Sequence, residues 1–160
     1  MRISLDNRRE EGPAPMFLID TNVISEARKG SRANPGVRAF FAAASEQEQP
    51  LYVASISIGE LRRGVDLIRR RGERAQADAL EHWLAELLEA YGDRVLVLDA
   101  EAAQLWGRLR VPHPEHALDK QIAAIALLHD LTVVTRNTAD FLPTGVALLN
   151  PFHSPSEVAP

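Results

Sequence analysis

Two hydrophobic rhythms alternate along the chain. Phe17-Leu-Ile19, Leu51-Tyr-Val-Ala-Ser55, Val95-Leu-Val-Leu98, Thr132-Val-Val-Thr135 and Val146-Ala-Leu-Leu149 are short, mostly apolar runs. Between them apolar residues recur every three or four positions, as in Leu61, Val65 and Ile68, or Leu80, Trp83, Leu84, Leu87 and Leu88. The first rhythm predicts buried strands and the second amphipathic helices. Helix boundaries are marked by their own chemistry. Asn34-Pro35 predicts an N-cap with proline at the first helical position, opening a helix to about Ala44. A helix from about Ile58 is interrupted at Arg71-Gly72, and a longer one runs from Glu73 to Ala90 before Gly92. Asp99 caps a helix to about Arg110, Pro112 and Pro114 break the chain, and Asp119 opens a helix over Lys120 to Leu128. Strands alternating with helices predict an α/β fold with a parallel sheet covered on both faces. Strands this apolar suit a doubly covered sheet.

Length and composition narrow the class. A chain of 160 residues, 46% hydrophobic and 25% charged, fits one globular domain. It has no cysteine, which excludes disulfides, thiolate zinc sites and cysteine nucleophiles. That is compatible with a reducing compartment, and the expected location is the cytoplasm. The net charge of −4 offers no global attraction for nucleic acid, so any such binding needs a local basic patch. No apolar run approaches the roughly 20 residues of a membrane span. Residues 1–15 read as a charged, flexible extension, residues 16–152 as the folded domain, and residues 153–160 as a loose tail.

Candidate chemistry sits where elements begin or end. Asp20 closes the first strand in Ile19-Asp-Thr-Asn22, at the carboxyl edge where open α/β sheets bind ligands. Taken singly, Asp20 can equally be a turn residue. Glu60, in Ser57-Ile-Gly-Glu60, reads as half of a capping box. Asp119 reads as a first-turn acid and Asp140 as part of a polar loop. Jointly, all four can lie on one edge of the sheet. Acids gathered there raise one another's pKa until a cation arrives. Oxygen donors favour Mg²⁺ or Mn²⁺ over zinc. Such an ion can hold a phosphodiester, activate water and stabilise a leaving oxygen.

The series Asp20-Thr-Asn22, Ser57-Ile-Gly-Glu60-Leu61, Asp119 with Ile122-Ala-Ala124, and Thr135-Arg-Asn137 with Asp140-Phe141 resembles the PIN domain, and more closely the VapC-type toxins. The resemblance covers roughly Met16 to Phe152. It implies a three-layer α/β/α sandwich and a metal-dependent endoribonuclease acting as the toxin of a type II toxin–antitoxin pair. It further implies an RNA substrate, a VapB-type antitoxin, and a homodimer or higher assembly. Asp20, Glu60, Asp119 and Asp140 would form the metal pocket, with Asp20 and Asp119 the firmest ligands to Mg²⁺ or Mn²⁺. Asn22 and Thr135 would support it by hydrogen bonding. The family's usual products carry 5′-phosphate and 3′-hydroxyl ends. Two features depart from the pattern: the long segment before Met16, and Lys120 beside Asp119, which is expected to point to solvent.

Other features bear on this reading. Residues 60–75 hold six arginines (Arg62, Arg63, Arg69, Arg70, Arg71, Arg74) against three acids (Glu60, Asp66, Glu73), a local +3. They can face RNA, an acidic antitoxin segment, or only solvent. Arg136 is a candidate phosphate contact. His113 and His116 share a proline-bounded loop, where a metal site is not expected because no third ligand is evident. Trp83 and Trp106 read as core residues. Three alternatives stay open: a PIN nuclease of RNA maturation, a non-catalytic binding module, and a phospho-receiver. The last lacks a lysine after the fourth or fifth strand.

Overall fold

The computed structural model describes residues 14–152. The expected extension, apart from Ala14 and Pro15, and the expected tail from residue 153 lie outside the described residues. Five parallel strands form one sheet: β1 (Phe17–Ile19), β2 (Leu51–Ala54), β3 (Val95–Leu96), β4 (Thr132–Val134) and β5 (Leu148–Leu149), in the order β3-β2-β1-β4-β5. Seven helices flank it: α1 (Thr21–Ala27), α2 (Pro35–Glu46), α3 (Ser55–Arg70), α4 (Arg74–Tyr91), α5 (Ala100–Leu109), α6 (Ala117–Leu128) and α7 (Thr138–Phe141). The expected α/β/α sandwich is what the chain forms. No helix of the described residues is long and apolar enough to cross a membrane.

The strands alternate their side chains between two cores, as the period of two demands. Leu18, Ala54 and Val133 face a core built with Ala102, Ile122, Ala123, Ile125 and Phe141. Phe17, Ile19, Val53 and Val134 face the other, built with Val23, Ile24, Val37 and Tyr91. A third cluster, Val65, Leu80 and Leu84, joins α3 to α4. Arg62 and Arg69 reinforce that joint, with Arg62 pairing with Glu81 and Arg69 with both Asp78 and Glu81. Two arginines of the basic segment are therefore structural contacts between helices rather than part of a free basic face.

Strand order fixes where a site can form. The chain leaves β1 for β2 and β3 on one side, then returns to place β4 on the other. The β1–β4 boundary is thus the topological switch point, where the connections diverge and open a crevice at the carboxyl ends. In register, Ile19 stands opposite Val134, so Asp20 and Thr135 leave the sheet side by side. The Asp20 N–H still donates to the Val134 carbonyl at 2.9 Å, extending the ladder one residue.

Asn34 caps α2 through the Gly36 N–H at 2.9 Å, as Asn34-Pro35 predicts. Gly36 must lack a side chain, because a Cβ there would lie 2.1 Å from the Pro151 carbonyl oxygen. Asp99 caps α5 through the Ala102 N–H. Other boundaries moved. The sequence reading has no helix between Asp20 and Asn34, yet α1 begins directly after Asp20. Its polar opening masks the buried pair Val23 and Ile24. The Ser57–Glu60 capping box does not form: β2 runs straight into α3 at Ser55, so Ser57 lies inside the helix and its hydroxyl caps nothing. Asp119 does not open its helix either; α6 begins at Ala117, with His116 at the N-cap position. The Asp140 loop is the short helix α7.

Candidate functional site

Asp20 is the best-fixed acid of the molecule's cleft. It is 4% exposed and serves as the N-cap of α1. Its Oδ1 accepts from the Thr21 N–H at 2.8 Å, and its Oδ2 accepts from the Thr135 hydroxyl at 2.8 Å and the Asn22 amide at 3.3 Å. Asn22 and Thr135 are themselves held. The Asn22 Oδ1 accepts from the Arg136 N–H, and the Thr135 Oγ1 from the Asn137 N–H, both at 3.1 Å. Asp20, Asn22 and Thr135 therefore form a closed hydrogen-bond network across the β1–β4 boundary. Burial raises the Asp20 carboxyl above its ordinary value, against the opposing pull of its hydrogen bonds from Thr135, Thr21 and Asn22.

Asp119 lies in the first turn of α6, where the helix dipole favours a negative charge. Its carboxyl is also raised, first by burial and then by the charges of Asp20 and Asp140, while His116 pulls it down. Asp20 and Asp119 line the same cleft, where like charges raise one another's pKa. Glu60, exposed on α3, completes the mouth of the same cleft.

The cleft has a volume of about 460 Å³ and extends from these acids over Leu61, Val65, Leu80 and Trp83. Arg28 guards that apolar end, its guanidinium 5.9 Å from the Trp83 ring centre. Beneath the acids a smaller recess of about 110 Å³ is lined by Asp20, Ser57, Glu60 and Asp119. The Ser57 hydroxyl, buried and without a protein partner, lies on its wall. Three carboxylates and an unpartnered hydroxyl around one recess form an oxygen-rich donor set. That set fits a hard divalent cation and the waters such an ion retains.

Asp140 stands apart from that lining. It reaches the site through Asp119, and the two acids flank one imidazole: His116 Nδ1 is 3.9 Å from Asp119 Oδ2, and Nε2 is 3.9 Å from Asp140 Oδ1. Arg136 also differs from expectation. Its guanidinium stacks 4.9 Å from the Phe152 ring centre, outside the cleft lining, and its contribution is the backbone N–H to Asn22. Lys120 is a correction. It is only 5% exposed, because α6 is covered on nearly every side and the loop before it closes over this position. Its ammonium donates to the His113 carbonyl. The two tryptophans are half-buried rather than core residues. Trp83 lines the cleft, and the Trp106 Nε1–H donates to the Ala117 carbonyl at 2.9 Å.

The sequence reading missed Arg28, Ser57 and His116 as site residues. Ser57 stood in a motif that resembled a cap. His116 carried the one usable signal, a spacing of three residues before Asp119.

A family model described as the PIN domain matches residues 17–142. The chain is 34% identical over 144 residues to toxin FitB of Neisseria gonorrhoeae, covering 86% of this chain and 99% of that protein. It is 31% identical over 143 residues to VapC ribonuclease Y4jK of Sinorhizobium fredii, covering 86% and 98%. The crystal structure of FitAcB from Neisseria gonorrhoeae superposes with a TM-score of 0.70 at 33% identity, covering 87% of this chain and all of that one.

Proposed function

Because the chain belongs to the PIN-domain family, we propose that it is a divalent-metal-dependent endoribonuclease and the toxin of a toxin–antitoxin pair. The observation that carries the chemistry is that Asp119 shares one recess with buried Asp20, whose carboxylate Thr21, Thr135 and Asn22 fix. Such a pair stores a site for positive charge. Asp20 and Asp119 would hold Mg²⁺ or Mn²⁺, with Glu60 at the mouth and Asp140 behind Asp119. The ion, when bound, supplies Lewis-acid polarisation of a phosphodiester and a more acidic water.

The protein's own residues prepare that chemistry. Thr135 and Asn22 fix the Asp20 carboxylate before any ligand arrives, so little reorganisation accompanies binding. Arg28 and the Trp83 face can receive a phosphate and a base of single-stranded RNA beyond the cut. The likeness to toxin FitB and to VapC ribonuclease Y4jK supports the toxin role and RNA as substrate. The likeness to a protein named toxin FitB supports an antitoxin partner for this chain. A VapB-type antitoxin would occupy the cleft in place of RNA, and self-association would leave the cleft to either.

The test is cleavage of single-stranded RNA by the purified chain freed of any antitoxin, with Mg²⁺ or Mn²⁺ and with chelator. Metal-dependent cuts with 5′-phosphate ends are expected. An intact folded chain that binds RNA but cuts none with either ion would favour a binding module instead.

A further inference from the structure

Within the His113–His116 loop Glu115 faces His113 at 3.5 Å, whereas His116 meets two carboxylates supplied from elsewhere in the fold. One ring nitrogen of His116 and one oxygen each of Asp119 and Asp140 lie within 4.8 Å of one another. We propose that His116 is a nitrogen ligand to the divalent ion beside Asp119, with Asp140 facing its other ring nitrogen, turning an oxygen-only site into one that prefers Mn²⁺ to Mg²⁺. This rests on the metal-pocket reading above and adds to it a donor and a choice of ion.

The geometry favours coordination over a simple contact. Two donors sharing one ion at about 2.1 Å stand no more than about 4.2 Å apart. The 3.9 Å between His116 Nδ1 and Asp119 Oδ2 falls within that limit and is too long for a hydrogen bond. A metal-bound imidazole uses one nitrogen for the ion and commonly turns its other N–H toward a carboxylate. With Nδ1 on the ion beside Asp119, the Nε2–H turns toward Asp140, 3.9 Å away.

The ring is also held in place. His116 adopts left-handed backbone, with φ 54° and ψ 45°, a conformation that non-glycine residues take at a cost. Two inward-facing side chains hold the segment around it. The Lys120 ammonium donates to the His113 carbonyl on one side. The Trp106 indole donates to the Ala117 carbonyl on the other. Burying a lysine is costly, and here that lysine fixes the loop that presents the imidazole.

The consequence for ion choice follows from donor type. Mg²⁺ is served by carboxylate and water oxygens, whereas imidazole suits transition metals, which bind nitrogen more strongly. Removing the imidazole should therefore weaken Mn²⁺ far more than Mg²⁺.

The experiment titrates Mn²⁺ and Mg²⁺ separately into the full chain, freed of antitoxin, by calorimetry. The pH is kept well above the ordinary imidazole pKa of about 6.5. The comparison variant is His116→Asn, since asparagine tolerates left-handed backbone, and a thermal melt checks its fold. Pulsed electron paramagnetic resonance of the Mn²⁺-loaded protein reads nitrogen coupling directly. Wild type should show that coupling, and His116→Asn should lose it. Its preference for Mn²⁺ over Mg²⁺ should fall by about tenfold or more, the scale on which even outer-shell partners of a metal act. Binding of both ions with no nitrogen coupling and an unchanged preference would overturn this inference and leave the carboxylate pocket standing. Binding of neither ion by wild type would overturn the pocket itself.

Discussion

Asp119 has two neighbours of the same chemistry and opposite circumstances. On one side Asp20 extends the central strand, is buried, and accepts hydrogen bonds from Thr21, Thr135 and Asn22. On the other side Asp140 sits in a four-residue helix, its side chain 39% exposed, and faces only an imidazole at 3.9 Å. One carboxylate is placed by the sheet and the other by a short surface element. The difference teaches how a fold divides labour in an acidic pocket. The position beside the switch point is held by hydrogen bonds, whereas the outer position has only the imidazole contact among the described residues.

The comparison is broken most severely by neutralising the rigid side. Asp20→Asn or Asp119→Asn should reduce RNA cleavage to background while the fold survives, read by gel assay beside circular dichroism. Stability should move the other way for Asp20. Its folded pKa lies above its ordinary value of 3.8, so the protonated form is the one folding favours. That contribution is fully present below pH 3.8 and is lost as pH rises through the folded pKa. At neutral pH, without metal, the buried charge is a liability that asparagine removes. Asp20→Asn should therefore melt a few degrees higher than wild type, at about 3 °C per kcal/mol for a chain of this size. The gain should vanish near pH 3. A lower melting temperature at neutral pH would show that the hydrogen bonds outweigh burial.

Next in size is loss of the support beneath Asp20. Thr135→Val keeps shape but removes the donor to Asp20 and the acceptor for the Asn137 N–H. It should cost about 1–3 kcal/mol of stability, the scale for stranding buried polar groups. Metal affinity should fall about 10–100-fold, as when an outer-shell partner is removed. Asp140→Asn should be milder. Cleavage should fall by about tenfold at limiting metal and recover at high metal, because this side only assists Asp119. Last, Arg136→Ala should leave cleavage within about twofold and stability within about 0.5 kcal/mol, as for an ordinary surface substitution. Its guanidinium lies over Phe152, and the N–H it gives to Asn22 belongs to the backbone, which alanine keeps.

The same contrast explains what could be read from the chain. Strand ends are visible because an apolar run stops at a polar residue, so Asp20 and Thr135 stand out without any structure. Their contact is between residues 115 positions apart and required the strand order. Helix starts were less legible where tertiary packing overrode local chemistry. Ser57 and Glu60 match a cap by spacing, yet β2 feeds α3 two residues ahead of Ser57 and leaves that hydroxyl buried without a partner. Lys120 looks like a surface residue by type, and only the loop folded over α6 makes it internal. His116 is the instructive case. Its own loop holds no complete ligand set, and its neighbours come from α6 and α7.

The central claim is that the Asp20–Asp119 pair holds the ion on which RNA cleavage depends. The direct measurement is Mn²⁺ binding by calorimetry, paired with RNA cleavage on the same preparations of wild type and Asp119→Asn. The account predicts that wild type binds Mn²⁺ and cuts RNA, and that the folded variant does neither. A variant that still cuts RNA at the wild-type rate, or a wild type that cuts RNA fully in chelator, would contradict it.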